Sequence, residues 1–301
     1  MTELWDLMRG AMATKALGAA ADLRIADELA AGPRSVADLA QATGADADTL
    51  HRILRALASE GVFAEDAPGT FRNTDESARL QGQGTHAFAH LFGSVFYDAI
   101  RGFPEPFESD FWEWLNAHPD ERAAFDGAMS SGKDRPAERL AALDWREGEV
   151  VVDVGGGNGA LLRALLERRP ELRGIVLDLP ETVRDESTLG DRIEFVSGSF
   201  FDSVPAADTY VLSGILHDWN DERAAAILGT IRAAAPDHAR VLVLQSVLQP
   251  GNEPHGAKWL DLLMLVLGGR ERTEPEWRTL LDGAGFVVTA VEDGLVEAGC
   301  R

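Results

Sequence analysis

The 301-residue sequence predicts an α/β fold, in which a doubly wound sheet follows a mostly helical N-terminal region. Three observations lead to this fold class. Apolar residues recur at helical spacing in the first third of the chain, and short apolar strands alternate with helices after about residue 147. A glycine-rich turn joins the first of these strands to the first of these helices, as in nucleotide-binding sheets.

The N-terminal third has the pattern of a winged helix. Apolar spacing predicts a helical stretch over residues 4–29, stopped by Gly32-Pro33. A short capped helix is predicted from Ser35 and a longer one over residues 48–61. Residues 62–73 are predicted to form a β-hairpin, which would be the wing.

The stretch between about residues 85 and 145 is rich in aromatic residues. Packing alone explains most of them, but as a group they could wall an apolar pocket. These residues are Phe88, Phe92, Phe96, Tyr97, Phe103, Phe107, Phe111, Trp112, Trp114 and Phe125.

The last part of the chain alternates strands and helices, which predicts a parallel sheet with ligands at the carboxyl ends of its strands. A closing antiparallel pair is predicted over residues 286–291 and 295–298. The preceding strands are predicted over residues 150–154, 174–178, 193–197, 208–212 and 239–246.

Composition excludes several classes of protein. The formal net charge of −22 opposes binding to phosphate backbones, so no nucleic acid is expected as a partner. Apolar runs are too short for a membrane span, and the acidic start does not resemble a signal peptide, so we expect a cytoplasmic location without membrane contact. With Cys300 as the single cysteine, neither a disulfide nor a structural metal site is expected.

The turn Asp153-Val-Gly-Gly-Gly-Asn-Gly-Ala160 is the strongest local motif. Glycines allow positive φ and close approach of a ligand, and the amides at the following helix start favour polar or anionic groups. Asp178, at the tip of the next predicted strand, is placed to bond the hydroxyls of a ribose. The motif by itself fits either NAD or S-adenosylmethionine (SAM).

His217 is the leading candidate for a general base. It follows the fourth predicted strand of the sheet in the segment Leu216-His-Asp-Trp219, where an open α/β sheet places reactive groups. Histidine is the side chain best suited to accept a proton near neutral pH.

Together these motifs resemble the SAM-dependent O-methyltransferases of the plant caffeic-acid type and their actinobacterial relatives that act on polyketide and other natural products. The resemblance spans nearly the whole chain and favours SAM over NAD. It implies a Rossmann-like methyltransferase sheet over residues 146–301, a winged-helix dimerisation domain over residues 1–84, and a helical linker or substrate cap over residues 85–145. The motifs that carry it are Asp153-Val-Gly-Gly-Gly-Asn-Gly159, Leu177-Asp-Leu-Pro180, Gly198-Ser-Phe-Phe-Asp-Ser-Val-Pro205, Leu216-His-Asp-Trp219, Asp261-Leu-Leu-Met264 and Gly268-Gly-Arg-Glu-Arg-Thr273.

The resemblance also implies roles for single residues. Gly155 and Gly157 would cradle the methionine part of SAM and Asp178 its ribose. Along the adenine would lie Ser199 and Phe200, while Ser213 would face the cofactor. His217 would be the base, with Glu271 and Asp261 near it. The implied acceptor site contains Met129, Met264, Asp218 and Gln245.

Two departures from the family pattern bear on the chemistry. Many relatives carry a glutamate where this chain has Gln245, so one charged partner for the histidine is missing. We therefore expect weaker base catalysis, or base catalysis that depends on Glu271 alone. The helical stretch between Leu80 and Pro104 and the C-terminal end also look shorter, which predicts a differently shaped acceptor pocket.

The sequence leaves three functions open. The first is transfer of methyl to a phenolic small molecule of secondary metabolism, independent of metal, by an enzyme that forms a homodimer. The second is a methyltransferase-fold enzyme that holds SAM but catalyses hydroxylation, decarboxylation or a pericyclic reaction, which Gln245 favours. The third is a winged-helix regulator that senses a ligand, which the acidic charge opposes.

Overall fold

The computed structural model describes residues 4–103, 111–180, 182, 192–252, 254–292 and 294–301, so Phe107 and Pro104 lie outside the described residues. The chain separates into two compact units. One contains the chain up to Arg101 together with Trp112–Ser131, and the other contains Gly102–Phe111 and Gly132–Arg301. The three-part division at residues 84 and 145 stays a prediction.

The first unit is mostly helical. Its helices are α1 (Leu4–Asp22), α2 (Ile25–Glu28), α3 (Val36–Thr43), α4 (Ala47–Ser59), α5 (Asp75–Ala78), α6 (Gln83–Gly93), α7 (Val95–Arg101), α8 (Phe111–Asn116) and α9 (Pro119–Ser130). Its strands are β1 (Arg34–Ser35), β2 (Phe63–Ala67) and β3 (Thr70–Asn73), in the antiparallel order β1-β3-β2.

Local sequence signals explain most boundaries of this unit. The oxygen of Ser35 accepts a hydrogen bond from the amide of Asp38 at 3.1 Å, and Gly44 ends α3 with φ 73°. The hairpin of β2 and β3 turns at Pro68-Gly69, as the sequence predicts. The predicted stretch over residues 4–29 is instead two helices, because Arg24 adopts a left-handed conformation with φ 55°.

The second unit contains helices α10 (Asp134–Ala141), α11 (Ala160–Arg168), α12 (Asp221–Ala234), α13 (Gly256–Leu267) and α14 (Glu274–Gly283). Its strands are β4 (Val150–Val154), β5 (Arg173–Asp178), β6 (Ile193–Ser197), β7 (Thr209–Ser213), β8 (Arg240–Leu244), β9 (Val247–Leu248), β10 (Arg272–Thr273), β11 (Phe286–Glu292) and β12 (Leu295–Cys300).

Seven of these strands form one sheet in the order β11-β12-β8-β7-β4-β5-β6. The five strands from β8 to β6 are parallel, and β12 and β11 close the sheet antiparallel, as predicted. After β4 the chain moves outward to β5 and β6 and then returns to β7 on the other side of β4. The carboxyl ends of β4 and β7 therefore form the topological switch point where such sheets bind ligands.

The predicted strand over residues 239–246 is shorter in the structure. It ends at Leu244, and the following β9 leaves the large sheet to pair in parallel with β10. This change brings the start of the Arg272–Thr273 strand beside Val247, close in sequence to Gln245.

Helices pack on both faces of the large sheet through apolar side chains and stabilise it. One face is covered mainly by α12 and α14 and includes the fully buried Trp277, while the other is covered by α10 and α11. Buried parallel strands such as Val150–Val154 need this cover on both sides. No helix within the described ranges is long and apolar enough to cross a membrane.

Candidate active site

The glycine turn lies at the switch point. Gly155, Gly157 and Gly159 have φ of 71°, 60° and 75°, values that residues with a side chain rarely adopt. A Cβ atom at Gly155 would lie 2.5 Å from the Cδ1 atom of Ile215, in the segment that follows β7. Glycine is therefore required where the turn after β4 meets the segment that leads to His217.

Asp178 fixes this turn to the tip of β5. Its carboxylate accepts hydrogen bonds from the amides of Gly157 and Leu179, each at 2.7 Å. A Cβ atom built on Gly157 meets no atom within 4 Å, so the turn has an open side at that residue. An open turn of glycines beside a carboxylate fits a ribonucleoside cofactor such as SAM.

The other predicted cofactor residues gather at the same edge of the sheet. Phe200 follows β6, and its ring lies 3.5 Å from the Cβ position of Gly155 and edge-on to Trp219. Ser199 accepts a hydrogen bond from the amide of Phe201 at 3.2 Å, which shapes the turn. Ser213 is half-buried at the last position of β7.

His217 lies in a single 3-10 turn, Leu216–Asp218, directly after β7. Its Nδ1 atom lies 2.6 Å from Oε1 of Glu271, and its Nε2 atom lies 3.6 Å from Oδ1 of Asp218. The Glu271 side chain is fully buried, and its Oε2 atom accepts a hydrogen bond from Nε2 of Gln245 at 3.3 Å. Gln245 thus contacts the partner of the histidine, whereas the sequence suggested a contact with the ring itself.

The two ionisable groups in the 3-10 turn have shifted pKa values. Burial alone would lower the pKa of His217, but the charge of Asp218, the hydrogen bond and charge of Glu271 and a backbone hydrogen bond at Gly214 raise it overall. Burial raises the pKa of Asp218 to about 7, opposed by His217 and reinforced by Glu271. The two groups are therefore coupled, because the charge of each shifts the pKa of the other.

The segment that follows α13 contacts the backbone of the 3-10 turn Leu216–Asp218. Gly268 ends α13 in the left-handed conformation, and the amide of Arg270 donates to the carbonyl oxygen of His217 at 2.8 Å. A Cβ atom at Gly269 would overlap that oxygen and lie 2.7 Å from the carbonyl carbon of Asp218. The approach of the two backbones thus requires glycine. Asp261 supports the same segment by accepting the Glu271 amide at 2.8 Å.

Arg272 is a functional candidate that sequence reasoning missed, although it lies inside a quoted motif. The side chain is fully buried and donates to the carbonyl oxygens of Leu216 and Trp219, at 2.8 and 2.9 Å. It also donates to the carboxylate of Asp221 at 2.9 Å. Since these carbonyls flank His217 and Asp218, Arg272 holds both ends of the turn that carries the predicted base.

The two methionines of the predicted acceptor site lie in different units. Met264 is on α13, three residues after Asp261, and is 5% exposed. Met129 is on α9 of the first unit and is 36% exposed. In the part of the chain that the structure describes, no group of three or more His, Cys, Asp and Glu side chains could hold a metal ion.

Comparison with known proteins identifies the family. An O-methyltransferase domain matches residues 83–287, and an O-methyltransferase dimerisation domain matches residues 5–81. The chain belongs to the O-methyltransferase family. A phenazine O-methyltransferase of Lysobacter antibioticus, PhzM, is 38% identical over 96% of this chain and 91% of its own.

Solved structures of other O-methyltransferases agree. The structure of LaPhzM matches with a TM-score of 0.92 at 36% identity, over 99% of this chain and 98% of its own. NcsB1, an O-methyltransferase from neocarzinostatin biosynthesis, matches with a TM-score of 0.84 at 35% identity over 99% of both chains. It was crystallised with S-adenosyl-L-homocysteine (SAH) and 1,4-dihydroxy-2-naphthoic acid. The predicted fold class, enzyme family and SAM cofactor are confirmed.

Proposed function

We propose that this O-methyltransferase methylates a phenolic hydroxyl of an aromatic small molecule of secondary metabolism and that His217 is its general base. The observation that carries the proposal is the contact of the half-buried His217 with the fully buried Glu271, 2.6 Å apart at the carboxyl edge of the sheet. Reactive groups of open α/β sheets gather at this edge.

In the proposal, the two ring nitrogens of His217 have different tasks. With Glu271 accepting from Nδ1–H, the neutral ring presents Nε2 as a proton acceptor. A phenol has a pKa of about 10, so its oxygen becomes a good nucleophile near neutral pH only when a base removes its proton. Once Nε2 has taken the proton, the carboxylates of Glu271 and Asp218 stabilise the imidazolium.

The cofactor residues support this assignment. In the proposal, the glycine turn at Gly155 and Gly157 holds the methionine part of SAM, and Asp178 holds the ribose. Ser199, Phe200 and Ser213 border the nucleoside at the same edge. When bound, SAM supplies a methyl group that its sulfonium has already activated. The fit rests on the open side of the turn at Gly157 and on its link to Asp178.

The names of the relatives support an aromatic acceptor. PhzM is a phenazine O-methyltransferase, and NcsB1 was crystallised with a dihydroxynaphthoic acid. In this chain Met264 and Asp261 share one face of α13, and Asp261 bonds the backbone of Glu271. Methionine adapts well to flat aromatic surfaces. We propose that Met264, Asp218 and Gln245 border the acceptor. The acceptor role of Met129 stays a prediction from the family resemblance.

We further propose that the protein is a homodimer formed through its dimerisation domain. Helix α1 exposes large apolar side chains at Leu4, Leu7, Met8 and Met12, between half and three quarters accessible. A groove of about 430 Å³ between α1 and α4 lies beside Met12. Apolar area of this kind on one helix is typical of a surface that a second subunit covers.

The test is an incubation of purified protein with SAM and a panel of phenolic acceptors, followed by mass spectrometry for SAH and methylated product. His217→Ala and His217→Gln are expected to keep SAH affinity but to lose about 10²-fold or more in rate. His238→Ala, which removes an exposed histidine paired with Asp208, serves as the control and should retain activity. A His217 variant with nearly normal rates would contradict the base assignment. Cofactor binding without SAH from any acceptor would favour a non-methylating reaction.

A further inference from the structure

Three glycines contact the segment that carries His217, and packing explains two of them. A Cβ atom would collide with Ile215 at Gly155 and with the carbonyl oxygen of His217 at Gly269. Gly214 differs from both. Apart from its chain neighbours, the one heavy atom of the described residues within 4 Å of a Cβ atom there would be Nε2 of His217, at 3.6 Å. That is an ordinary van der Waals distance, so glycine is not needed at position 214 to avoid a collision.

The backbone of Gly214 is fixed relative to the large sheet. Gly214 directly follows β7, and its amide donates to the carbonyl oxygen of Leu244, the last residue of β8, at 3.2 Å. Its φ of 69° is left-handed, a conformation that glycine adopts freely and that asparagine tolerates better than most residues with a side chain. Any side chain at position 214 would therefore begin at a defined place beside Nε2 of His217.

The space beside Nε2 is where an acceptor arrives in the proposed function. Nδ1 of the same ring contacts Glu271, and the His217 side chain keeps 16% of its surface exposed. A phenol that gives its proton to Nε2 brings its oxygen within about 3.2 Å of that atom. A Cβ atom at position 214 would lie 3.6 Å from the same atom. The absence of a side chain at Gly214 therefore leaves room for the groups next to the phenol oxygen.

We propose that Gly214 determines acceptor specificity by leaving space for a substituent on the ring carbon next to the one that bears the reacting hydroxyl. The inference rests on the proposed function, since it takes Nε2 of His217 as the base. In an ortho-substituted phenol this substituent approaches the base together with the oxygen, so it has to fit beside Nε2. A methyl group at position 214 would fill that space. One methyl group in a confined site changes specificity about tenfold or more.

The first experiment compares two acceptors that differ by one ortho methyl group, 1-naphthol and 2-methyl-1-naphthol. The parent protein should methylate both, with kcat/KM values within about threefold of each other. Gly214→Ala and Gly214→Asn should lower kcat/KM for 2-methyl-1-naphthol about tenfold or more relative to 1-naphthol. Equal losses for the two acceptors would show that glycine serves only the backbone and would overturn the inference. A parent protein that already discriminates about tenfold against 2-methyl-1-naphthol would also overturn it.

Gly148→Asn is the matched control for the left-handed conformation. Gly148 precedes β4, is exposed and has a φ of 76°, and a Cβ atom there meets no atom within 4 Å. Its ratio of kcat/KM for the two naphthols should stay within about twofold of the parent protein's. A changed ratio in this variant would show that the ratio does not report the space at Gly214 and would overturn the inference.

The second experiment does not depend on methyl transfer. Diethyl pyrocarbonate acylates the unprotonated histidine nitrogens that it can reach, and peptide mass spectrometry reports each histidine separately. Gly214→Asn should slow the labelling of His217 about tenfold and leave that of the exposed His238 unchanged. Unchanged labelling of His217 would overturn the inference. Methylation of neither naphthol by the parent protein would count against the proposed function, while the labelling would still decide whether position 214 controls access to His217.

Discussion

Substituting Gly269 by alanine tests whether the contact between two backbones positions the base. The new Cβ atom would overlap the carbonyl oxygen of His217 and lie 2.7 Å from the carbonyl carbon of Asp218, whereas two carbon atoms stop repelling at about 3.5 Å. The turn with His217, or the segment with Glu271, must therefore recede by at least about 0.8 Å. A misplacement of about 1 Å can reduce an enzymatic rate by about 10²-fold, so we expect kcat to fall about 10- to 100-fold.

The same displacement affects stability less than activity. Overpacking costs about 1–3 kcal/mol, and loss of the hydrogen bond from Arg270 to the His217 carbonyl adds about 1 kcal/mol. Neither the glycine turn nor Asp178 contacts Gly269 directly, so SAH affinity should change less than about threefold. The assay combines kcat, SAH calorimetry and thermal unfolding in one buffer.

Gly283→Ala is the control for the substitution itself. Gly283 ends α14, and a Cβ atom there meets no atom within 4 Å. This variant should keep its rate and unfold at the same or a slightly higher temperature. If Gly269→Ala retains full kcat while remaining folded, the backbone contact does not position the base and the reasoning is wrong.

Three further substitutions test the charges of the site. Asp218→Asn removes the acid that most raises the pKa of His217, so the acidic limb of the pH profile of kcat should move to lower pH. A limb that does not move would contradict the coupling of His217 and Asp218. Gln245→Glu places a second carboxylate against Glu271, which should move that limb to higher pH, and a pH profile identical to the parent's would show that the contact is unimportant. Asp178→Ala should abolish SAH binding by calorimetry, with circular dichroism as the check on folding; retained affinity would exclude the proposed ribose site.

The sequence predicts the parts of the fold that local chemistry determines. The strand, glycine turn and helix at Asp153 to Ala160 need positive φ at particular positions, and glycine is the residue that accepts it. The capped helix at Ser35 and the hairpin at Pro68-Gly69 follow from equally local signals. The break at Arg24 does not, because the left-handed conformation is normally marked by glycine and an arginine gives no such signal in the sequence.

The candidate site is harder to predict from the sequence, because its contacts join segments that are far apart in the chain. His217 and Glu271 are 54 positions apart, and only the family resemblance pairs them. Sequence reasoning placed Gln245 at the histidine, but the change from the β8 strand to the separate β9 and β10 pair directs its amide toward Glu271. The predicted strand runs two residues beyond the observed end at Leu244, and Gln245 lies in that difference.

Two residues of the segment that carries Glu271 fix the position of His217, the proposed base. Arg272 donates to the carbonyls on either side of the 3-10 turn, and Gly269 allows the neighbouring backbone to approach it. Both residues belong to the segment that carries Glu271. The same segment therefore supplies the carboxylate that pairs with His217 and the contacts that hold the 3-10 turn of His217. The short distance from His217 to Glu271 is therefore a property of two packed segments and not of two side chains. Substitutions in that packing should reduce the rate before they reduce cofactor affinity.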